Sequence, residues 1–243
     1  MDIETAPNLG YIWGKYEQDV LEYDREWYML SFAYKWLDEK RVHAHALPDF
    51  KTYKKDKEND RELVEKLWNL FDEADIVIAH NGDEFDVKKA NARFFFHKMM
   101  PPAPFKTVDT KKVAKRAMKL NSNKLDDIGA YASLGRKLQT GGWELWKGCM
   151  VGDKKAWATM VKYNKQDVVL LEKVYLALLP WATNHPNIAI IEETANGCHN
   201  CGGHNLTRRG FTITKASKKQ RFQCQDCGAW RTGKTVVTQN QLD

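Results

Sequence analysis

The chain has 243 residues, of which 43% are hydrophobic and 29% are charged, a balance typical of a folded protein and unlike that of a disordered chain. No apolar run approaches the roughly 20 residues that span a bilayer. The acidic start MDIE also lacks the basic and apolar regions of a signal peptide. These features argue against a membrane or secreted protein and predict a cytoplasmic one.

The net charge is unevenly placed along the chain. The whole sequence carries +6, and from Gly197 onward eight lysines and arginines stand against two acids, which also gives +6. The first 196 residues are therefore neutral in sum. This concentration of positive charge predicts that the C-terminal segment contacts a polyanion.

Predicted strands and helices alternate through the first two thirds of the sequence. WYMLSFAYKW and RVHAHAL have the composition of two hairpin strands, and NDRELVEKLWNLFDEA has helical spacing, with Asn59 or Asp60 as its cap. DIVIAH and FKTVD indicate short buried strands. Each of these strands is followed by a predicted helix. The helix after DIVIAH is GDEFDVKKANARFFFHKM, with Asp83 as its cap, and the helix after FKTVD is TKKVAKRAM, with Asp109 as its cap. The order predicts an α/β fold in which helices flank a sheet of mixed direction.

A long helix is predicted from about Asp153 to Leu179, and it carries an acid on its apolar face. Residues three or four apart share one side of a helix. Asp167 therefore lies in the middle of an otherwise mostly apolar stripe, which comprises Met160, Tyr163, Asp167, Leu171, Val174 and Leu178. A carboxylate that faces a core costs several kcal/mol unless it is paired or binds a metal, so we expect a cation to meet it.

Three further acids fall at positions where they can join Asp167. Asp2 and Glu4 are two residues apart, so on a strand they project from the same face. Asp86 lies in the first turn of a helix that follows a buried strand, where stabilisation of the helix dipole is the alternative explanation. Four converging carboxylates require cations, and hard oxygen ligands suit two Mg²⁺ or Mn²⁺ ions.

Three motifs in the chain resemble those of the DEDD exonuclease superfamily. They are the D-x-E of DIET, the N-x-x-x-F-D of NGDEFD and the Y-x-x-x-D of YNKQD, in this order. The tyrosine four residues before the last aspartate resembles the DEDDy branch. TGGWELWKGC and KYNKQDVVLLEKVY are further similar to exonucleases predicted in bacteriophages. The resemblance covers about residues 1–180. It implies a ribonuclease H-like fold, removal of nucleotides from 3′ ends, and a bacterial or phage-infected cell as the setting.

The resemblance also implies a role for each residue of the motifs. Asp2 would bridge two metal ions, Glu4 and Asp167 would complete the first site, and Asp86 would hold the second ion, partly through water. Tyr163 would orient the attacking water. The implied substrate is a nucleic acid with a single-stranded 3′ end, either DNA or RNA, and no protein partner is implied. A binding protein whose nuclease site has decayed and a ribonuclease H-like endonuclease are the alternatives.

Two C-x2-C pairs in the C-terminal segment predict a zinc site. CHNC and CQDC are separated by 22 residues, and each pair is followed by glycine. Cys198, Cys201, Cys224 and Cys227 are expected to hold one structural Zn²⁺ in a fold that resembles a zinc ribbon, with two disulfides as the weaker alternative.

The same segment supplies the expected nucleic-acid surface, and a ribbon that docks on a protein partner is the other interpretation. The residues expected to form the surface are Arg208, Arg209, Lys218, Lys219, Arg221 and Trp230. The predicted organisation is a ribonuclease H-like domain over residues 1–182, a linker over 183–196 and the zinc ribbon over 197–243.

The first strand raises one further expectation. Strands usually run for about five or six residues, yet only Met1 precedes Asp2. Either about four apolar residues upstream of Met1 would complete the strand, or the sheet is formed with a short stub. We expect an added apolar strand to raise both stability and activity.

Overall fold

The computed structural model describes residues 1–16, 19–194 and 196–238. Its strands are β1 Asp2–Thr5, β2 Leu9–Tyr11, β3 Glu22–Arg25, β4 Met29–Tyr34, β5 His43–Ala46, β6 Ile76–Ala79, β7 Lys106–Asp109, β8 Leu206–Ile213, β9 Ser217–Cys224 and β10 Trp230–Thr238. Its α-helices are α1 Arg61–Glu73, α2 Asp86–Phe96, α3 Thr110–Ala117, α4 Leu125–Tyr131, α5 Trp143–Val151, α6 Lys154–Leu178 and α7 Ile188–Ile191. Single 3₁₀ turns lie at Leu47–Asp49, Thr52–Lys54 and Leu179–Trp181.

The strands near the acidic motifs form a sheet of mixed direction. β4 pairs antiparallel with β1 on one side and with β5 on the other, and β6 pairs parallel with β7. The amino nitrogen of Met1 donates to the carbonyl of Ile78 at 2.8 Å, which places the start of β1 beside β6. The strand order is therefore β5-β4-β1 followed by β6-β7, and the prediction of a mixed α/β sheet is confirmed.

The core explains why the predicted helices form where they do. Leu63 and Leu67 of α1, Phe32 of β4 and Met160 of α6 are all almost fully buried in one apolar cluster. β4 is covered on both faces, which is why its sequence is a nearly continuous apolar run. Burial of these side chains supplies the main driving force for docking α1 and α6 on the sheet.

The structure confirms two of the predicted helix caps and corrects one. The side chain of Asp109 accepts from the backbone N–H groups of Lys111 and Lys112 at the start of α3. Asp60 is the N-cap residue of α1, and the side chain of Asn59 accepts from the N–H of Arg61 at 3.1 Å. The carboxylate of Asp60 makes no cap bond itself, because it is buried and accepts from Arg93, from His97 and from the N–H of Met29. Asp83 does not cap α2, since Phe85 occupies the cap position and Asp83 pairs with Lys112.

The C-terminal segment forms a three-stranded antiparallel sheet in the order β10-β9-β8. It lies against the end of α6, where the side-chain amide of Asn200 donates to the carbonyls of Leu179 and Ala182 at 2.8 and 3.1 Å. Tyr175 packs beside Cys201 and Cys227. The region expected to be a linker contains the short helix α7, and the proposed domain boundaries remain a prediction.

Within the described ranges, no helix combines the length and the apolar character needed to cross a membrane.

Candidate active site and cysteine cluster

Three of the four predicted acids meet at one point. Asp2 and Glu4 project from β1, and Asp167 comes from the middle of α6, which packs on that strand. One carboxylate oxygen from each of the three lies within 4.8 Å of the others. We call Asp2, Glu4 and Asp167 the acidic cluster. They meet because Asp2 and Glu4, two residues apart on a strand, project from the same face, and because Asp167 lies on the buried face of its helix.

Asp167 has the environment of a cation ligand. Its side chain is fully buried, and its Oδ2 accepts from the ammonium of Lys137 at 2.6 Å. Among the described residues, its Oδ1 has no hydrogen-bond partner. A buried carboxylate oxygen without a partner is costly, and a metal ion at the acidic cluster would satisfy it.

Lys137 is the cation that meets Asp167, and it comes from the loop between α4 and α5. Its ammonium also donates to the hydroxyl of Tyr163 at 3.1 Å. Burial alone would lower the pKa of Lys137, but the charge of Asp167 and the contact with Tyr163 raise it above its ordinary value. The ring of Tyr163 is held edge-on by Trp146 of α5, with the ring centroids 6.0 Å apart. The hydroxyl of Tyr163 and the carboxylate of Asp167 therefore share one ammonium group.

Asn164 fixes the position of Asp2. Its fully buried side-chain amide donates to Oδ2 of Asp2 at 2.6 Å and to the backbone carbonyl of Asp2 at 3.2 Å. The carbonyl oxygen of the Asn164 side chain accepts in turn from the hydroxyl of Ser31 at 3.1 Å. This chain of hydrogen bonds from β4 through α6 leaves the Asp2 carboxylate little rotational freedom.

Asp86 lies next to the acidic cluster but is not a member of it. The side chain is 3% exposed, and its Oδ1 accepts from the backbone N–H of Ile3 at 3.0 Å. Asp86 therefore holds the strand that carries Asp2 and Glu4. Of the four acids that were expected to converge, three form the cluster. The fourth, Asp86, follows β6 and contacts the backbone of β1.

The electrostatics of these acids favour a bound cation. Burial, reinforced by the charges of Asp86 and Asp167, raises the pKa of Asp2 to about 8. Burial likewise raises the pKa of Glu4 well above its ordinary range and that of Asp86 to about 6. It also raises the pKa of Asp167 in spite of the partner Lys137. Carboxyl groups that are hard to ionise together become stable as carboxylates when a divalent cation sits among them.

The four cysteines of the C-terminal segment form the second cluster. Their sulfurs lie within 4.8 Å of one another, and all four are free thiols. The Cys198–Cys227 and Cys201–Cys224 sulfur pairs are 3.6 and 3.7 Å apart, far beyond a disulfide bond of about 2.05 Å. Zn–S bonds of about 2.3 Å in a tetrahedron place sulfurs about 3.8 Å apart. The cluster can therefore hold one Zn²⁺.

The residues expected to bind nucleic acid are divided between two faces of the C-terminal sheet. Because side chains alternate along β9, Lys219 and Arg221 project from one face, and Lys218 projects from the other together with Phe222 and Cys224. Trp230 joins the first face, with the guanidinium of Arg221 5.3 Å from its ring centroid.

Arg208 joins the second face, since it pairs with Phe222. Arg209 lies where the register between β8 and β9 shifts. The face that carries Cys224 is turned toward the cysteine cluster, so the face of Lys219, Arg221 and Trp230 is the more open one. The sequence had suggested one surface because it lists these residues without their strand register.

Two polar residues at the acidic cluster were not identified from the sequence. Asn164 shares the buried face of α6 with Met160 and Asp167, so its helical spacing was a usable signal. Lys137 lies in a loop without periodicity, and no local pattern marks it as a partner of Asp167.

The comparison with known families agrees with the fold. A model of the RNase H superfamily matches residues 17–179, a range that includes Asp86, Lys137, Tyr163 and Asp167 but not Asp2 and Glu4. No curated protein matches the chain at a significant level. Nucleases of this superfamily use divalent metals and act on nucleic acids, and the acidic cluster is compatible with Mg²⁺. The match spans well over half of the chain, and the chain belongs to the RNase H superfamily.

Proposed function

We propose that the protein is a DEDDy-type 3′–5′ exonuclease that uses two divalent metal ions. The observation that carries this proposal is the acidic cluster, in which one carboxylate oxygen each of Asp2, Glu4 and Asp167 lies within 4.8 Å of the others and the buried Oδ1 of Asp167 has no partner among the described residues. Tyr163 stands one helical turn before Asp167, as the DEDDy motif requires. Family membership supports a nuclease in general, and the motifs support the finer assignment.

The four acids would bind the two ions in different ways. Asp2 is close enough to both Asp86 and Asp167 for the charges of both to raise its pKa, which suits a bridging ligand. Glu4 and Asp167 complete one site, and Asp86 serves the other. Two Mg²⁺ or Mn²⁺ ions held by these carboxylates would lower the pKa of an attacking water and would offset charge on the leaving oxygen.

Tyr163 and Lys137 serve the same site without being ligands. The Tyr163 hydroxyl is held by the ammonium of Lys137 on one side and by the packing of Trp146 behind its ring. It can therefore orient a water for in-line attack. Lys137 is the counter-ion of Asp167 when no metal is bound, and its charge favours the ionised form of that carboxylate against the effect of burial, which raises the pKa.

The C-terminal sheet is proposed as a zinc ribbon that binds the substrate. The four thiols would hold one Zn²⁺, which stabilises a module with a small core of its own. On the open face, Trp230 is 52% exposed and can stack on a base, while Lys219 and Arg221 can contact phosphates. No protein partner is proposed.

Digestion of 5′-labelled single-stranded DNA and RNA in Mg²⁺ or Mn²⁺ tests the proposal. A ladder that shortens from the 3′ end is expected. A substrate with a blocked 3′ end and a circular single strand are the controls, and both should remain intact. Cleavage of the circle would establish an endonuclease, and binding without any cleavage would establish a decayed site.

A further inference from the structure

Helix α3 and the residues that follow it carry positive charge without any acid among them. Between Thr110 and Leu125 the chain has six lysines and arginines and no aspartate or glutamate. The six are Lys111, Lys112, Lys115, Arg116, Lys119 and Lys124, and we call them the basic cluster. Because the first 196 residues are neutral in sum, this local excess does not appear in the net charge of that part of the chain.

Packing turns the basic cluster toward solvent. Val113 and Ala114 of α3 are buried in an apolar cluster together with Leu171 of α6. Residues four apart lie on one side of a helix, so the lysines and arginines of α3 stand in two rows on its outer side. The rows are Lys111 with Lys115 and Lys112 with Arg116. All members of the basic cluster are exposed except Lys111, which is half-buried.

The stability of α3 does not account for these charges. Like charges four residues apart on a helix repel each other. Lys115 and Arg116 lie in the last turn, where the helix dipole favours cations, but Lys111 and Lys112 lie in the first turn, where the dipole disfavours them.

Most of the basic cluster is also free of counter-ions. Lys112 pairs with Asp83 at 2.8 Å. Four members form no ion pair with any described residue, namely Lys115, Arg116, Lys119 and Lys124. Exposed cations that have no partner within the protein are available to an anionic ligand.

The first turn of α3 lies beside the candidate active site. The ammonium of Lys111 donates to the side-chain oxygen of Asn81 at 3.1 Å. The next residue after Asn81 is Gly82, and a methyl group built on Gly82 would lie 3.7 Å from Oδ2 of Asp86. Lys111 is therefore separated from the carboxylate of Asp86 by a single turn of the backbone.

The other side of the candidate active site is close to Lys111 as well. Burial lowers the pKa of His80, and the charges of Lys111 and Lys137 lower it further, so both ammonium groups lie near this ring. Lys137 in turn contacts Asp167 at 2.6 Å. The basic cluster thus begins at the edge of the site that holds the acidic cluster.

The last turn of α3 lies near the foot of the C-terminal sheet. A small cleft of about 150 Å³ is lined by Arg116 and by Asn184 and His185, which follow α6. Ala182 lines the same cleft, and its carbonyl accepts from Asn200 of the C-terminal segment. At 1.5 Å per residue, the eight residues of α3 span about 12 Å. The outer side of α3 therefore leads from the candidate active site toward the C-terminal sheet.

We propose that the outer side of α3 binds the phosphate backbone of the nucleic-acid strand whose end enters the acidic cluster. Lysine and arginine neutralise phosphates and release their counter-ions, whatever the base sequence. DNA and RNA carry the same phosphate, so the site is expected to accept either. The inference rests on the proposed function for the identity of the ligand, and it adds a binding surface on the nuclease domain itself.

The experiment measures binding of a fluorescent single-stranded oligo-dT of about 20 nucleotides across a range of NaCl concentrations. The parent is the full chain with Asp167→Asn, in buffer without Mg²⁺, Mn²⁺ or chelator, so that catalysis has no part in the result. Lys115→Gln/Arg116→Gln removes two cations and keeps good helix formers. The slope of log K against log salt should fall by about 1.4, since each lost phosphate contact of a single strand contributes about 0.7.

Two further variants control the experiment. Lys154→Gln/Lys155→Gln makes the same change in charge at the exposed start of α6, about 18 Å along the helix from Asp167, and should leave the slope unchanged. Lys115→Arg/Arg116→Lys preserves the charge and should retain the parent's slope. Circular dichroism should give all variants the same helix content.

The possible failures are distinguishable. If the two glutamine variants had equal slopes, or if the charge-preserving variant lost as much slope as Lys115→Gln/Arg116→Gln, the α3 site would be refuted while the proposed function stood. A parent that did not bind the oligonucleotide at all would refute both. Binding with the expected slopes but no cleavage by the wild type in Mn²⁺ would support the α3 site and refute the nuclease alone.

Discussion

The ammonium of Lys137 lies 2.6 Å from Oδ2 of Asp167 and ties the loop between α4 and α5 to the middle of α6. Asp167 is fully buried, whereas the Lys137 side chain is 29% exposed. The buried acid is thus paired with a cation that is itself partly exposed to solvent. A site that binds metal ions benefits from such a counter-ion, because it stabilises the carboxylate before the ions arrive.

Replacement of Lys137 should lower the thermal stability of the metal-free protein more than that of the metal-bound protein. Lys137→Met leaves the Asp167 carboxylate without its partner, and we expect Tm in chelator to fall by about 4 °C, which allows for the partial exposure of the lysine. Saturating Mn²⁺ should narrow the difference from the wild type. Lys162→Met, at an exposed position of α6, is the matched control and should change Tm little. A difference of the same size with and without Mn²⁺ would argue against the counter-ion role.

Loss of Asp167 and loss of the Tyr163 hydroxyl should differ in severity. Asp167→Asn keeps the shape of the side chain but removes a ligand charge, so turnover should fall below about a tenth of wild type with the fold intact. Tyr163→Phe removes only a hydroxyl that orients water and should be milder. Turnover in Mn²⁺ and circular dichroism of the purified variants are the measurements. Equal losses in the two variants would contradict the separate roles.

Asn164 should act on metal affinity through Asp2. Asn164→Ala removes the hydrogen bond to Oδ2 of Asp2, and the apparent affinity for Mn²⁺ should drop by about 10- to 100-fold. Turnover at saturating Mn²⁺ should recover most of its wild-type value. Titration of activity and calorimetry with Mn²⁺ give the two readouts. Asn164→Asp tests the donor specifically, since it retains the shape but cannot donate to a carboxylate; unchanged Mn²⁺ affinity in this variant would exclude a positioning role.

The stability of the metal-free protein should fall as the pH rises. Burial raises the pKa of Asp2 from 3.8 to about 8, so between these values the folded protein keeps a proton that the unfolded chain releases. The folded state then binds more protons, and the free energy of unfolding decreases with increasing pH across this interval. Asp86, with its pKa raised to about 6, adds to the decrease in the lower part of the range.

Thermal unfolding in chelator from about pH 5 to about pH 8 measures how the free energy of unfolding changes with pH. This interval lies between the ordinary pKa of Asp2 and its raised value. Asp2→Asn cannot titrate and should flatten the slope, and Mn²⁺ should raise Tm most at the alkaline end. A metal-free Tm that increased across this range would contradict the assignment.

The two faces of the C-terminal sheet should differ in nucleic-acid binding. Loss of two phosphate contacts from a single strand lowers the salt slope of binding by about 1.4. We expect this change in Lys219→Ser/Arg221→Ser and a smaller one in Arg208→Ser/Lys218→Ser, which has the same change in charge. Equal salt slopes for the two double variants would show that the open face does not bind the substrate.

Metal analysis of the purified protein should find one zinc ion per chain. A protein without bound zinc would refute the zinc ribbon.

The sequence by itself determined the elements and the chemistry of both clusters. The apolar stripe of α6 placed Asp167 on a buried face, the D-x-E spacing placed Asp2 and Glu4 on one side of a strand, and the C-x2-C pairs specified the four thiols. These are local signals, since a helix or strand fixes which neighbours in sequence share a face. The segment after β1 was not assigned, and it forms the hairpin of β2 and β3, whose largely exposed residues give no pattern of burial.

Tertiary structure alone decided which groups complete the site. Lys137 reaches Asp167 across 30 positions and Asn164 reaches Asp2 across 162, and no periodicity links residues so far apart. The side chain of Asp60, at the N-cap of α1, makes no cap bond because it pairs with buried Arg93. Strand register divides the basic residues of the C-terminal sheet between its two faces. Contacts of this kind depend on how elements pack, and packing is a property of the whole fold.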